Sequence, residues 1–243
     1  MVLKKAIILC AGLGTRLKPF TDSTPKALVK IGDKPILWYI LQLLKKHQIE
    51  SVGINLFHLH QKIRDYLKEN ANFGLEIVTK LEKELLGTAG GVRNFEDFIG
   101  YDDSFLVIYG DVLTNANLKK IIDFHQRVRA DLTMAIRPWP NPEEKGIVRL
   151  GLDGRITEFI EKPHGYEVFT NLGNAAIYVC QKSILPLIPE NQFSDFGIDV
   201  FPKMLNKGLG IYGYIVRKYL IDVGNKRSLR QANDDLRMGV FKI

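Results

Sequence analysis

The stretch Lys5-Ala6-Ile7-Ile8-Leu9-Cys10-Ala11-Gly12-Leu13-Gly14 decides the fold class. A continuous apolar run without polar alternation has no face to turn toward water. It predicts a strand buried on both sides of a parallel sheet. The glycines that follow predict a sharp turn at the strand's C-terminal end. Within 35–47, Ile36, Leu37, Ile40, Leu41 and Leu44 recur at helical spacing. Strands are expected near 52–55, 75–79 and 105–109, with helices near 58–68, 88–98 and 117–129. This alternation predicts an α/β fold with a doubly wound, mostly parallel, Rossmann-like sheet. From Asp131 the texture changes to short β-like runs at 132–137, 147–150, 156–160 and 175–179, with a turn at Asp153-Gly154. These read as added antiparallel strands. No linker, repeat or low-complexity segment intervenes, so a single domain is expected over residues 1–243.

Composition narrows the class. A chain of 243 residues with 46% hydrophobic and 25% charged residues can bury a sizeable core, which excludes an intrinsically disordered protein. The net charge of +7 is scattered rather than gathered into a run, so no nucleic-acid arm is expected. No stretch approaches the roughly 18 apolar residues of a membrane span. Met1 to Lys5 is too short for the basic region of a signal peptide, and a cytoplasmic location is expected. Cys10 and Cys180 lie inside apolar segments without metal-ligand spacing, and read as buried thiols of a reducing compartment.

The loop after the first strand carries the chemistry. Gly12 and Gly14 let backbone N–H groups come close to phosphate oxygens. Arg16 and Lys26 supply the positive charge that a triphosphate requires, one as a fork and one as a point charge. Position 17 is Leu, which excludes the dinucleotide fingerprint, and no Gly-Lys-Ser/Thr follows to make a P-loop. Further on, Phe105-Leu106-Val107-Ile108-Tyr109-Gly110-Asp111 places a carboxylate at the end of a buried strand, where open α/β sheets bind ligands. Asp222 follows a second apolar run. Two such carboxylates suit Mg²⁺ shared with phosphate oxygens. A turn or helix-capping role is the competing reading of Asp222.

Gly12-x-Gly14-Thr15-Arg16-x-x-Pro19-x-Thr21 followed by Pro25-Lys26 resembles the signature of the sugar-nucleotide pyrophosphorylases, the sugar-1-phosphate nucleotidylyltransferases. It is most similar to the short enzymes that use GTP with mannose 1-phosphate or heptose 1-phosphate, and also to thymidylyl- and uridylyltransferases. The resemblance implies a Mg²⁺ enzyme acting on a nucleoside triphosphate and a sugar 1-phosphate, on a GT-A-like fold. Residues 1–130 would form the nucleotide half and 131–243 the sugar-phosphate half, with a homodimer as the default assembly. It assigns nucleotide contacts to Leu9, Ala11, Gly12, Gly14, Thr15, Glu82, Gly87 and Thr88. Charge neutralisation falls to Arg16, Lys26 and Lys162, sugar contacts to Gly146, Glu161 and Asn174, and the metal to Asp111 and Asp222.

The chain departs from that pattern in places. Leu220 stands where relatives carry Trp or Phe, Asn225 where they carry Thr, Ala176 in place of a glycine, and Lys145 in place of an aromatic residue. Asp195-Phe196-Gly197-x-Asp199 resembles a segment of the guanylyl-type enzymes, although its residues alone say only turn and helix. Glu82 aligns with the reader of the base edge. A carboxylate only accepts hydrogen bonds, which matches the N1–H and N2–H₂ donors of guanine, so GTP is favoured. Gly87 leaves room for base or ribose, and the helix N-terminus after Thr88 favours an anionic oxygen. No repeat module is expected after residue 243. Three alternatives stand beside this reading: a thymidylyl- or uridylyltransferase acting on glucose 1-phosphate or an N-acetylated sugar 1-phosphate, a non-catalytic regulatory paralogue that binds sugar nucleotides, and transfer to phosphocholine through an aromatic cage of Trp139 and Tyr178.

Overall fold

The opening run forms the strand Lys5–Leu9, with Ala6, Ile7 and Ile8 completely buried. In the computed structural model residues 3–242 are described. Met1, Val2 and Ile243, which the sequence reading counts in the domain, lie outside them. Lys5–Leu9 pairs in parallel with Ser51–Leu56, Lys5 opposite Ser51 and Leu9 opposite Asn55. Ser51–Leu56 pairs in parallel with Glu76–Leu81. The connecting helices Ile36–Lys46 and His60–Glu69 follow the expected periodicity. The first buries seven of its eleven side chains, Ile36, Leu37, Tyr39, Ile40, Leu41, Leu43 and Leu44. That breadth of apolar face belongs to a helix lying flat on a sheet.

Later strands supply the antiparallel part. Leu132–Pro138 runs antiparallel to Leu172–Gln181 and parallel to Ile211–Ile215. Gly146–Leu150 runs antiparallel to Ile156–Glu161, with Gly146 directly opposite Glu161. The chain is therefore α/β, with a mostly parallel central sheet and added antiparallel strands. Its contacts gather into two units. The first holds the residues up to Leu85, Ile108–Asn117, and those from Lys218 on; the second holds Leu86–Val107 and Leu118–Arg217. Compactness thus does not follow a cut at 130/131. The two short strands Val112–Thr114 and Leu220–Asp222 pair with each other inside the first unit.

Three elements differ from expectation. The helix expected at 88–98 is two, Gly87–Arg93 and Glu96–Ile99. The first contains three glycines, which are weak helix formers, and Phe95 at the break is fully buried. The run expected at 175–179 is a ten-residue strand, Leu172–Gln181, carrying a bulge between Asn174 and Tyr178. A helix at Lys226–Arg237 was not anticipated; it is polar enough to bury only Leu229, Ala232 and Asp235. Asn225 caps it, its side chain accepting from Ser228 N. The residue standing where relatives keep Thr is thus an N-cap of the preferred kind. Among the described residues, no helix is long and apolar enough to cross a membrane.

Candidate active site

In the first unit, Leu9 O accepts the N–H of Gly110 at 2.9 Å, and the N–H of Cys10 donates to Asn55 Oδ1 at 2.6 Å. Ala11 is buried and the chain then turns into solvent. The two loop glycines differ in kind. Gly14 has φ +65°, and a side chain there would lie 2.9 Å from Thr21 Cγ2, so the fold itself demands glycine. Thr21 Oγ1 also donates to Gly14 O at 2.8 Å, closing the loop. Around Gly12, by contrast, a Cβ would meet nothing within 4 Å. Its backbone borders open space, as an approaching phosphate would need. Thr15 and Arg16, both exposed, begin the short helical turn Thr15–Leu17.

Lys26 forms an ion pair with Asp111 Oδ2, both side chains being largely shielded at 15% and 20% exposure. Asp111 follows the strand Ser104–Tyr109 through Gly110, where a side chain would collide with Cys10 Sγ at 2.7 Å and Leu9 O at 2.8 Å. Asp222 sits opposite Val112 in the short antiparallel pair, and Val223 N donates to Asp111 O at 2.9 Å. Residues 111 residues apart in sequence are thereby neighbours. Gly224 completes the group: a Cβ there would be 2.9 Å from Asp222 Oδ1 and 3.3 Å from Arg16 Nη2. Two carboxylates and two cations therefore converge within this unit. Among the described residues, no cluster of three or more His, Cys, Asp or Glu is placed to hold a metal. A pair of carboxylates is nonetheless the donor set that Mg²⁺ uses when phosphate oxygens and water complete its shell.

Glu82 continues the edge of Glu76–Leu81, its N–H donating to Leu56 O at 2.8 Å. It is buried, and Asn55 Nδ2 donates to its Oε1 at 2.7 Å. Sequence reasoning missed Asn55; the signal was a lone amide within the apolar stretch 52–56, one residue before the strand's end. Both thiols are free and buried, and burial pushes each well above the ordinary range, with Asp111 adding to the effect at Cys10. Neither is a nucleophile.

In the second unit, Glu161 lies between two glycines. A Cβ on Gly146 would come 2.6 Å from Glu161 Oε2 and 2.3 Å from Phe159 Cζ, and a Cβ on Gly197 would come 2.5 Å from Oε2. Burial raises the Glu161 carboxyl above its usual range; Lys162 opposes this, Asp195 adds to it and Lys145 opposes it. Lys162 is exposed, with φ +47°, and its N–H donates to Lys145 O at 3.0 Å. Beneath these groups Phe159, Tyr178, Phe196 and Phe201 pack with ring centroids 5.0–5.5 Å apart. Gly197, read from sequence as part of a turn, thus lies directly against the Glu161 carboxylate.

Other expected contacts are engaged within the protein. Asn174 Nδ2 donates to Tyr178 Oη at 2.6 Å and its Oδ1 accepts from Ala176 N at 2.8 Å, so the amide spans the bulge. Thr88 Oγ1 donates to Asp195 Oδ2 at 2.8 Å and accepts from Phe196 N at 2.9 Å. Gly87 has φ +73°, and a side chain there would strike Ser194 O at 2.4 Å. That same carbonyl accepts from Ala89 N and Gly90 N at 2.9 and 3.0 Å, capping the helix from within. Tyr178 is buried against Phe196 and Phe201, whereas the Trp139 ring is covered by Lys145 and Arg137. Their surroundings are those of a core residue and a cation-covered ring, not of a trimethylammonium cage.

Residues 5–239 match the model of the nucleotidyl transferase family. The chain belongs to this family. It is 33% identical over 234 residues to the D-glycero-α-D-manno-heptose 1-phosphate guanylyltransferase of Aneurinibacillus thermoaerophilus, covering 96% of this chain and 98% of that enzyme. It is 31% identical over 240 residues to the UTP–glucose-1-phosphate uridylyltransferase of Synechocystis, covering 94% of this chain and 62% of that enzyme. Several curated relatives of this nucleotidyl transferase chain are longer, and it spans 53–62% of their length. Among solved structures, HddC from Yersinia pseudotuberculosis superposes with a TM-score of 0.82 at 27% identity, over 96% of this chain and all of that one.

Proposed function

We propose that the protein transfers a nucleoside monophosphate from a triphosphate, GTP by preference, to a sugar 1-phosphate, mannose 1-phosphate by preference, releasing pyrophosphate. The observation that carries this reading is the convergence of Lys26, Asp111, Asp222 and Arg16 in the first unit, where Gly12 keeps its backbone open. The sugar 1-phosphate is already an anion, so its oxygen can attack the α-phosphorus without a general base. What remains is to hold two anions together in line and offset their repulsion. Arg16 and Lys26 supply charge toward the triphosphate, and Lys162 toward the sugar phosphate. Glu161, walled by Gly146 and Gly197, accepts hydrogen bonds from sugar hydroxyls. Asp111 and Asp222 would hold Mg²⁺, which adds positive charge at the phosphates when bound.

Glu82 as a buried acceptor favours guanine. The uridylyl relative at 31% identity supports the competing choice of UTP with glucose 1-phosphate. Pyrophosphate release, measured for four triphosphates against mannose, glucose, heptose and N-acetylated sugar 1-phosphates, decides between them. A unit charge about 4 Å away at an effective dielectric near 20 is worth about 4 kcal/mol, or about a thousandfold in rate. Lys26→Ala and Asp111→Asn should each lower turnover by about that factor while far-UV circular dichroism stays unchanged. Near-normal activity in either variant would overturn the assignment.

A further inference from the structure

Asn55 is 2% exposed and Glu82 4% exposed, and the two meet where the strands Ser51–Leu56 and Glu76–Leu81 end. The Asn55 amide works in two directions. Its Nδ2 donates to Glu82 Oε1 at 2.7 Å, and its Oδ1 accepts the N–H of Cys10 at 2.6 Å, one residue before Ala11 and Gly12. An amide, with donor and acceptor at opposite corners of one plane, serves both partners at once. We infer that Asn55 is a positioning residue for base selection, fixing Glu82 as a pure hydrogen-bond acceptor while anchoring the start of the phosphate loop. The inference rests on the reading of Glu82 as the base contact.

The physical argument concerns what Glu82 can offer a base. An N–H donated to a carboxylate favours its ionised form, and another acceptor in that donor's place favours the protonated form. As an acceptor alone, Glu82 complements the two donors on the guanine edge. Carrying a proton, it presents one donor and one acceptor, as a Gln would, and complements the alternating carbonyl and N–H of uracil. The choice of base is thus set from behind the residue that touches it. Because the same amide holds Cys10, a disturbance at position 55 also reaches the loop that meets the phosphates.

Asn55→Asp is the informative change. It keeps an acceptor for Cys10 N–H but sets two carboxylates at hydrogen-bond distance, which must then share a proton. The ratio of kcat/KM for GTP to that for UTP should fall at least tenfold at neutral pH. It should recover as pH rises and the shared proton leaves, while the KM for sugar 1-phosphate stays unchanged. Asn55→Ser, too short to span both partners, should move the ratio in the same direction, and thermal melts show which variants are folded. A ratio within twofold of the parent, or equal losses with both triphosphates, in a folded variant would overturn the inference; so would failure of both variants to fold, which would make Asn55 a structural residue only. Glu82→Gln separates the two layers. If it shifts the ratio and the Asn55 variants do not, the relay alone is wrong. If it leaves the ratio untouched, Glu82 does not read the base and both readings fall.

Discussion

At Ala176 the backbone turns to φ +56°, a conformation that places an L side chain against its own carbonyl at about 1–2 kcal/mol. The Asn174 amide compensates by accepting the Ala176 N–H inside the bulge. Glycine removes the steric term but loses more freedom on folding, by about 0.5–1 kcal/mol. Ala176→Gly is therefore expected to raise stability by about 0.5–1 kcal/mol, read as a higher urea midpoint at unchanged slope. Lys162 carries φ +47° as well.

The antiparallel pair Gly146–Leu150 and Ile156–Glu161 shows how an element builds half of a pocket. Its register sets Gly146 against Glu161, and the turn entering Phe196–Val200 sets Gly197 against the same carboxylate. Gly197→Ala would put a methyl group 2.5 Å from Glu161 Oε2, too close for the carboxylate to stay in place. The expected outcome is a KM for sugar 1-phosphate raised about tenfold, about 1.4 kcal/mol of binding, with the KM for the triphosphate unaltered. Steady-state kinetics with each substrate varied in turn provide the check. Much at this scale was legible beforehand, because unbroken apolar runs such as Lys5–Leu9 and Ser104–Tyr109 admit one burial pattern. The Gly-rich loop and Asp111 stand out by local residue type, whereas Glu161 is singled out only by the family resemblance, since Glu-Lys alone reads as a surface pair. Gly197 and Asn55 could not be placed beforehand, since their partners stand 36 and 27 positions away and only register brings them together. The helix Lys226–Arg237 escaped because its buried stripe is too sparse to show a period.

On the scale of the molecule, His125 links folding to acidity. It is 1% exposed, within 3.0 Å of Thr133 Oγ1 and 3.2 Å of Gln181 Nε2, and burial lowers it from 6.5 to about 4 despite the opposing pull of Asp131. The unfolded chain then binds a proton near pH 6.5 while the folded chain resists until about 4. Stability falls as the pH drops through that window, by roughly 3 kcal/mol in all. Urea unfolding between pH 7 and 4 should show this slope, and His125→Gln should flatten it. The make-up of the first unit bears on biogenesis. Its residues up to Leu85 and Ile108–Asn117 leave the ribosome long before Lys218 and its successors. At about 5–20 residues per second, the interval between Asp111 and Asp222 is on the order of ten seconds. Throughout it Val112–Thr114 lacks the strand it pairs with, and the acid pair is half made. Under the roles proposed above, a nascent chain can thus carry Lys26 and Asp111 yet lack the second carboxylate until translation has passed Asp222.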